Sequence, residues 1–572
     1  MDYRKNYQHF LEDPAIDEAT RQELAALTDE KEIEDRFYKE LEFGTAGLRG
    51  IMGAGLNRMN VYIVGRATQG LAGYLNALPG AAQRGVVIAH DSRNQSDAFA
   101  LRAACVLAAN GIKTYLFKGL RAVPQLSFAI GHLGCAAGIV VTASHNPPAY
   151  NGYKVYGENG AQINPDQAAK ITRCIQAVEN FSDVKLIDAD QAVKQGTLVW
   201  IGEEEDDAYY AYTASTVLDQ SVMTAAKDLK VVYTPLFGSG RVPVKHMLTQ
   251  EAGIQQFYEV AAQCEPNGDF PGLSAPNPEN PEAFDEARKV ADEVGADLIL
   301  ATDPDADRLG VAVRDGSGFT VLTGNQIGCL MLNYRLMKLK ELRRLPENGL
   351  VVKSIVSTNF ADAICRKYGV RLDSVLTGFR FIGEKIDECV RFGKNTFLFG
   401  FEESYGYLSG NKVRDKDAIC AALMIAETAA WYSLRGMTLL QGLHELFGEY
   451  GWFKEGVRSF TLYGVEGMAK IQAAMARVRE NPPAEIAGAP VLAVRDYKRR
   501  LRTAGGEKEP LDLPASDVLY YELPEDGWLC VRPSGTEPKL KAYAGCKAAD
   551  AAQAAARAAE MLDYAQSLLG ME

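Results

Sequence analysis

Short, almost uninterrupted apolar runs punctuate the chain: Val86-Val87-Ile88-Ala89, Gly138-Ile139-Val140-Val141, Leu229-Lys230-Val231-Val232-Tyr233 and Leu298-Ile299-Leu300. Helical stretches lie between them. β-Branched runs without polar alternation predict strands buried on both faces, and the intervening helices predict α/β units with largely parallel sheets. Breaks in this rhythm suggest boundaries. The acidic run 203–207 follows a strand-like segment and opens a fresh helical pattern, although a solvated helix start explains it equally well. Further breaks near Thr323 and Gly451 divide the chain into 1–205, 206–322, 323–452 and 453–572. Asn481-Pro482-Pro483 and Thr503-Ala504-Gly505-Gly506 mark loops in the last, smaller unit. The Pro/Asn/Gly-rich segment 265–281 is long for a loop in a compact domain, which suggests a function or a lid. No fixed-period repeat is seen.

Length supports this division, because single cores stop growing near roughly 250 to 300 residues and the chain has 572. A net charge of -13 argues against a general nucleic-acid surface, so an anionic substrate would need a local basic pocket. The charged N-terminus has no apolar signal core, and the most apolar helical candidate, 418–432, is short and interrupted by Glu427. A cytoplasmic location without membrane contact is the expectation. Ten scattered cysteines, with no C-x-x-C pair, read as reduced core residues.

Ligands of open α/β sheets sit at the carboxyl ends of strands, so polar clusters directly after apolar runs are the places to look. There are four. Thr142-Ala143-Ser144-His145-Asn146-Pro147-Pro148 sets a hydroxyl beside an imidazole on a loop stiffened by two prolines, which suits a held nucleophile. Taken alone, Ser144 reads better as a turn or cap residue than as a nucleophile. Thr302-Asp303-Pro304-Asp305-Ala306-Asp307-Arg308 carries three carboxylates that repel one another unless a hard cation gathers them. A calcium EF-hand fails here, because its Gly and Glu positions hold Arg308 and Arg314, whereas Mg²⁺ suits three carboxylates plus a phosphate oxygen.

The third cluster, Gly400-Phe401-Glu402-Glu403-Ser404-Tyr405-Gly406, offers a carboxylate and a hydroxyl in an extended loop as acceptors for sugar hydroxyls. The fourth, Arg532-Pro533-Ser534-Gly535-Thr536, combines a guanidinium fork with a possible nest for phosphate oxygens, or is a plain glycine turn. Arg49, Lys154 and Arg380 are further basic candidates. Neither Gly378-x4-Gly383, followed by Glu384-Lys385, nor Gly53-Ala54-Gly55 completes a nucleotide-binding fingerprint.

In this order the four clusters resemble the α-D-phosphohexomutase family, from Arg49 to Lys539. The resemblance implies four domains around a central cleft, three similar α/β domains with mixed, largely parallel sheets and a smaller C-terminal α+β domain. It implies Ser144 as phosphoryl carrier and Asp303, Asp305 and Asp307 as Mg²⁺ ligands, completed by the Ser144 phosphate. Glu402 and Ser404 would read ring hydroxyls, and Arg532, Ser534, Gly535 and Thr536 would hold the distal phosphate. Many compact members continue the sugar loop with Gly-His, where this chain has Tyr405-Gly406, so no histidine contact carries over. Length, with Gly44-Thr45-Ala46-Gly47-Leu48-Arg49-Gly50 and Glu402-Glu403-Ser404-Tyr405-Gly406, looks like the phosphoglucomutase-2 branch, which also holds phosphopentomutases.

The implied activity interconverts α-D-glucose 1-phosphate and D-glucose 6-phosphate, with glucose 1,6-bisphosphate as intermediate and primer. Mannose or pentose phosphates remain open as substrates, and a non-catalytic sugar-phosphate binder is the reading from another class. Oligomeric state is not readable. His145 and Lys154 are the candidates for general acid/base work, with Arg49, Arg308 and Arg380 as cationic groups of the cleft. A lysine base needs a depressed pKa, which nearby Arg49 and Arg308 could supply.

Overall fold

A computed structural model describes residues 2–45, 47–462, 464–533 and 539–571. Four large sheets follow one another along the chain. The first contains β1 (Leu48–Ile51), β2 (Val86–His90), β3 (Thr114–Phe117), β4 (Ala137–Val141), β5 (Tyr150–Gly157) and β6 (Leu198–Ile201), in the order β1-β5-β4-β2-β3-β6. The second contains β7 (Lys230–Thr234), β8 (Gln256–Glu259), β9 (Leu298–Thr302), β10 (Leu309–Asp315) and β11 (Gly318–Val321), ordered β11-β10-β9-β7-β8. The third contains β12 (Gly349–Ser354), β13 (Arg371–Val375), β14 (Thr396–Glu402) and β15 (Gly406–Leu408), ordered β13-β12-β14-β15.

After β16 (Trp452–Thr461) comes a small hairpin of β17 (Glu485–Ile486) and β18 (Ala489–Pro490). The fourth sheet joins β16 to β19 (Ala493–Asp496), β20 (Leu501–Ala504), β21 (Glu507–Pro510), β22 (Leu519–Glu522), β23 (Trp528–Pro533) and β24 (Lys539–Ala548). Its ladders are antiparallel. The first three sheets are mixed, with parallel ladders at the centre, as expected of three α/β units and a smaller α+β unit.

The apolar runs sit where burial is complete. Every residue of β2, β4 and β9 is buried, because helices cover both faces. Three N-terminal helices, Tyr3–Glu12, Glu18–Ala25 and Glu30–Phe37, press Phe10, Leu24 and Phe37 into the core of the first unit. A single apolar cluster runs through the second and third units. The acidic run 203–207 opens the helix Glu203–Ala214, but it is not wholly solvated: Glu205 and Asp206 are buried, and Asp206 pairs with Arg121. Among the described residues no helix is long and apolar enough to cross a membrane. All ten cysteines are free, with Cys174 and Cys389 partly exposed rather than in the core.

The first three polar clusters stand at the carboxyl ends of parallel-paired strands, as expected. The clusters after β4, β9 and β14 each turn directly into an antiparallel neighbour, β5, β10 and β15. A hairpin connection is short, which holds the polar residues close to the sheet end. Each of these loops carries one non-glycine residue in the left-handed region: Ser144 (φ 52°), Ala306 (φ 48°) and Tyr405 (φ 65°). Such conformations cost free energy and persist where the surroundings enforce them.

Candidate active site

The Ser144 and aspartate loops meet face to face. Ser144 Oγ donates to Asp303 Oδ2 at 2.7 Å, and His145 Nδ1 lies 3.2 Å from the same hydroxyl. Thr142 Oγ1 sits 2.6 Å from Asp91 Oδ2 and 3.2 Å from Asp305 Oδ2, and accepts from the Ser144 amide at 2.8 Å. Asp303, Asp305 and Asp307 are buried, and one oxygen from each falls within 4.8 Å of the others. Asp303 Oδ1 accepts from the Asp307 and Arg308 amides, while Asp305 Oδ1 and Asp307 Oδ1 have no hydrogen-bond partner among the described residues. Buried, unpaired carboxylate oxygens converging on one point fit a hard divalent cation, and the donor set is all oxygen.

Charge around the triad is divided. Burial and then repulsion from Asp305 and Asp307 push Asp303 well above the usual carboxylate range. Burial, then Asp305, also raises Asp307. Burial opposes ionisation of Asp305, but Lys154, whose Nζ lies 2.9 Å from Oδ2, together with the bond to Asp303 and the charge of Lys416, outweighs it and holds that carboxyl low. Lys154, on β5, therefore faces an anion rather than the guanidinium groups expected from sequence. His145 is pressed well below 6.5, first by burial and then by Arg308 and Arg49, so its imidazole is neutral at pH 7.

Arg49, on β1, donates to Asn146 Oδ1 at 3.1 Å and so borders the Ser144 loop. Arg308 lies against the triad, its Nε 4.0 Å from Asp307 Oδ1 and without a hydrogen-bond partner. Glu402 is the last residue of β14, not part of an extended loop, and its Oε1 accepts from the Gly378 amide at 2.6 Å. Burial, then Glu403, pushes its carboxyl up to about 7. Ser404 follows in the half-buried turn. Arg380 begins the helix Arg380–Phe392 with its guanidinium 4.6 Å over the Phe381 ring, and among the described residues it bonds neither Ser144 nor the aspartates. Arg532 lies on β23, beside Tyr543 and Glu403. Ser534, Gly535 and Thr536 lie outside the described residues.

Two groups escaped the sequence reading. Asp91 and Arg93 follow β2, and the rule of polar clusters after apolar runs would have found them. Asp91 accepts from Ser96 Oγ and the Arg93 amide, while buried Arg93 donates to the carbonyls of Ser144, Pro147 and Tyr150 at 2.6, 3.0 and 3.0 Å. The other group is Arg414-Asp415-Lys416-Asp417, buried despite four consecutive charges ahead of the helix Ala418–Leu434. Lys416 Nζ bridges Asp307 and Asp415 at 3.0 and 3.1 Å, and Asp415 accepts from Tyr156 at 2.8 Å. Lys416 thereby ties the aspartate loop to the third unit. A run of charges entering an apolar helix was its signal.

This pairing of a serine loop with an acidic triad between the first two of four successive sheets defines a phosphosugar-mutase class of site. The chain belongs to the phosphoglucomutase/phosphomannomutase family. Residues 40–181, 207–316 and 323–450 match its alpha/beta/alpha domains I, II and III, and 490–563 match its C-terminal domain. A phosphoglucomutase from Staphylococcus aureus (strain bovine RF122 / ET3-1) is 39% identical over 521 residues, covering 90% of this chain and 91% of the relative. That of strain USA300 is 39% identical over 525 residues, covering 91% and 92%. Among solved structures, pp63/parafusin, a Paramecium phosphoglucomutase in its open form, superposes with a TM-score of 0.69 at 18% identity, covering 93% of this chain and 95% of the other. A phosphoglucomutase/phosphomannomutase family protein from Burkholderia thailandensis gives 0.65 at 20% identity, covering 92% and 97%. At such identities these two structures speak for the fold.

Proposed function

We propose that this protein is a phosphoglucomutase, interconverting α-D-glucose 1-phosphate and D-glucose 6-phosphate through a phosphoserine at Ser144 and a glucose 1,6-bisphosphate intermediate that also primes the enzyme. The observation that carries this reading is Ser144 Oγ, 2.7 Å from Asp303 within a buried triad that leaves two carboxylate oxygens unpaired. The division at 205, 322 and 452 is part of the same proposal. It gives one chemical loop to each unit.

Asp303, Asp305 and Asp307 would hold Mg²⁺, which when bound offsets negative charge on the transferring phosphoryl group and the serine oxygen. In the forward half-reaction the bond from phosphorus to Ser144 Oγ breaks and a bond to the sugar hydroxyl oxygen forms. The hydroxyl proton leaves to a base, and Oγ ends as a hydroxyl. Neutral His145, within 3.2 Å of Oγ, suits the exchange of a proton there. Lys154, bonded to Asp305, and Arg308, with a spare Nε donor, supply positive charge beside the transferring group. Arg49 steadies the loop through Asn146.

Glu402 and Ser404 would accept bonds from ring hydroxyls, and Arg532 with Ser534, Gly535 and Thr536 would receive the phosphate that is not transferring. The bisphosphate must present either phosphate to Ser144, so the distal group must accept both orientations of the sugar. Arg380, two residues after the Gly378 that bonds Glu402, would serve as a further cation for the substrate phosphate.

The test has two parts. Intact mass and peptide mapping of purified enzyme should find one phosphoryl group on the peptide containing Ser144, and Ser144→Ala should stay inactive with or without glucose 1,6-bisphosphate. Full activity in Ser144→Ala rejects the proposal. A panel of glucose, mannose, N-acetylglucosamine, ribose and deoxyribose 1-phosphates, compared by kcat/KM, then settles the sugar. A wide margin for ribose 1-phosphate or mannose 1-phosphate would replace glucose in it.

A further inference from the structure

The segment 265–281, long and without a role in the chemistry above, touches the aspartate loop directly and reaches the Ser144 loop through Arg93. At one end Gly268, Asp269 and Phe270 lie on Arg93 and Asn94 of the first unit. Asp269 Oδ1 accepts from Asn94 Nδ2 at 2.7 Å, and the Phe270 ring lies 5.0 Å from the Arg93 guanidinium carbon. Approach at Gly268 is so close that a Cβ there would stand 2.3 Å from the Asn94 amide nitrogen, so only glycine fits. Phe270 is wholly buried and held at φ 46°, a left-handed conformation that a bulky residue adopts only under constraint. Arg93, under that ring, is the residue that gathers the carbonyls of Ser144, Asn146, Pro147 and Tyr150.

At the other end Glu279, set by a bond from its amide to Asn277 Oδ1, accepts from Arg308 Nη1. Arg308 in turn gives its amide to Asp303 Oδ1 at 3.0 Å. One segment of the second unit thus holds the bracket of the serine loop and the arginine of the aspartate loop. Arg308 is only 17% exposed, so its guanidinium is confined between Glu279 and the aspartate loop.

We propose that residues 268–279 are a positioning clasp for phosphoryl transfer: Gly268, Asp269 and Phe270 seat Arg93 and through it the Ser144 loop, while Glu279 aims Arg308 at the phosphoryl group on Ser144. The clasp rests on the reading of Ser144 as phosphoryl carrier. Neither Glu279 nor Phe270 touches the reacting atoms. Both act through an arginine. Loss of the clasp shifts the donor and acceptor loops relative to each other, and small misplacements of reacting groups cost far more in turnover than in binding.

The experiment uses the full-length enzyme with Mg²⁺, glucose 1,6-bisphosphate and α-D-glucose 1-phosphate. Glu279→Gln keeps the shape and removes the charge, and Gly268→Ala wedges the segment off Asn94. Each should lower kcat by about 10- to 100-fold with a smaller change in KM. Glu279→Asp, keeping a carboxylate, should recover part of the loss, and Glu279→Gln should cost nothing more once Arg308 is already Lys. A merely structural segment would instead lower Tm while the folded enzyme kept its kcat. Parent-like kcat in both Glu279→Gln and Gly268→Ala, beside an inactive Ser144→Ala, overturns the clasp and leaves the mutase reading standing. A fully active Ser144→Ala overturns both.

Discussion

The aspartate loop and the fourth sheet are both fastened to the rest of the molecule, but by different kinds of bond. Around the aspartate loop backbone bonds join the side-chain pairs: Val123 N to Asp305 O at 2.9 Å from the first unit, Ser239 N to Pro304 O at 2.9 Å within the second, and, in the third unit, Leu309 N to Tyr405 O at 3.0 Å and Ala418 N to Ala306 O at 3.2 Å. The fourth sheet is held through side chains. Asn325 donates to Glu455, Asn359 to the Asp526 carbonyl and Arg366 pairs with Asp526, beside an apolar patch of Ile355, Val356 and Leu376 against Tyr520, Trp528 and Tyr543. The covalent junction is Gly451, at φ 98°, where a Cβ would run into the Lys547 side chain.

Backbone bonds leave no rotamer to choose, so they place the aspartate loop with little slack. Side-chain bonds are individually weak and can re-form in another geometry. The difference matches the proposed chemistry, in which the phosphoryl group always moves at one place while the far phosphate arrives in two sugar orientations.

Breaking the rigid side should cost most. Asp305→Ala removes a triad oxygen and strands Lys154, and is expected to raise the barrier by about 4 kcal/mol, a loss of roughly a thousandfold in kcat. Parent-like kcat at saturating Mg²⁺ would remove the metal role from the triad. Next comes acidity at Glu402. Its folded carboxyl, raised from an ordinary 4.5 to about 7, holds a proton that the unfolded chain has lost, so this group's contribution favours folding below 4.5 and is lost as pH rises through 7. Glu402→Gln should flatten that slope, worth at most ~3 kcal/mol, in denaturant titrations between the two values. An unchanged slope would mean that Glu402 titrates normally.

On the side-chain-fastened half the effects should be smaller. Arg532→Ala is expected to raise KM about tenfold, near 1.4 kcal/mol, with a lesser fall in kcat. Identical kinetics would return β23 to structure alone. Asn359→Ala deletes one bond to the fourth sheet and should cost about 1 kcal/mol in denaturant unfolding, with kcat barely moved. A loss in kcat as large as that of Asp305→Ala would erase the contrast between the two halves.

Much was legible before any coordinate. Buried strands write themselves as apolar runs, and the motifs at their ends are short and contiguous, so Ser144, His145, the three aspartates and Glu402 could be picked out by position along the chain. That the first three loops are hairpins was not legible, since a strand's neighbour leaves no mark in its own residues. Nor was Lys154's partner, Asp305, 151 residues away. Arg93 and Lys416 left a signal in the sequence but no sign of their partners, and Glu279 looks like an ordinary surface charge. They become part of the site only because sheet packing buries them against loops from other units. The sequence by itself determined which strands are buried and which chemical groups stand at their ends, because burial and local turns depend on near neighbours. Tertiary structure alone decided which charges face one another, because that depends on how separate sheets are stacked.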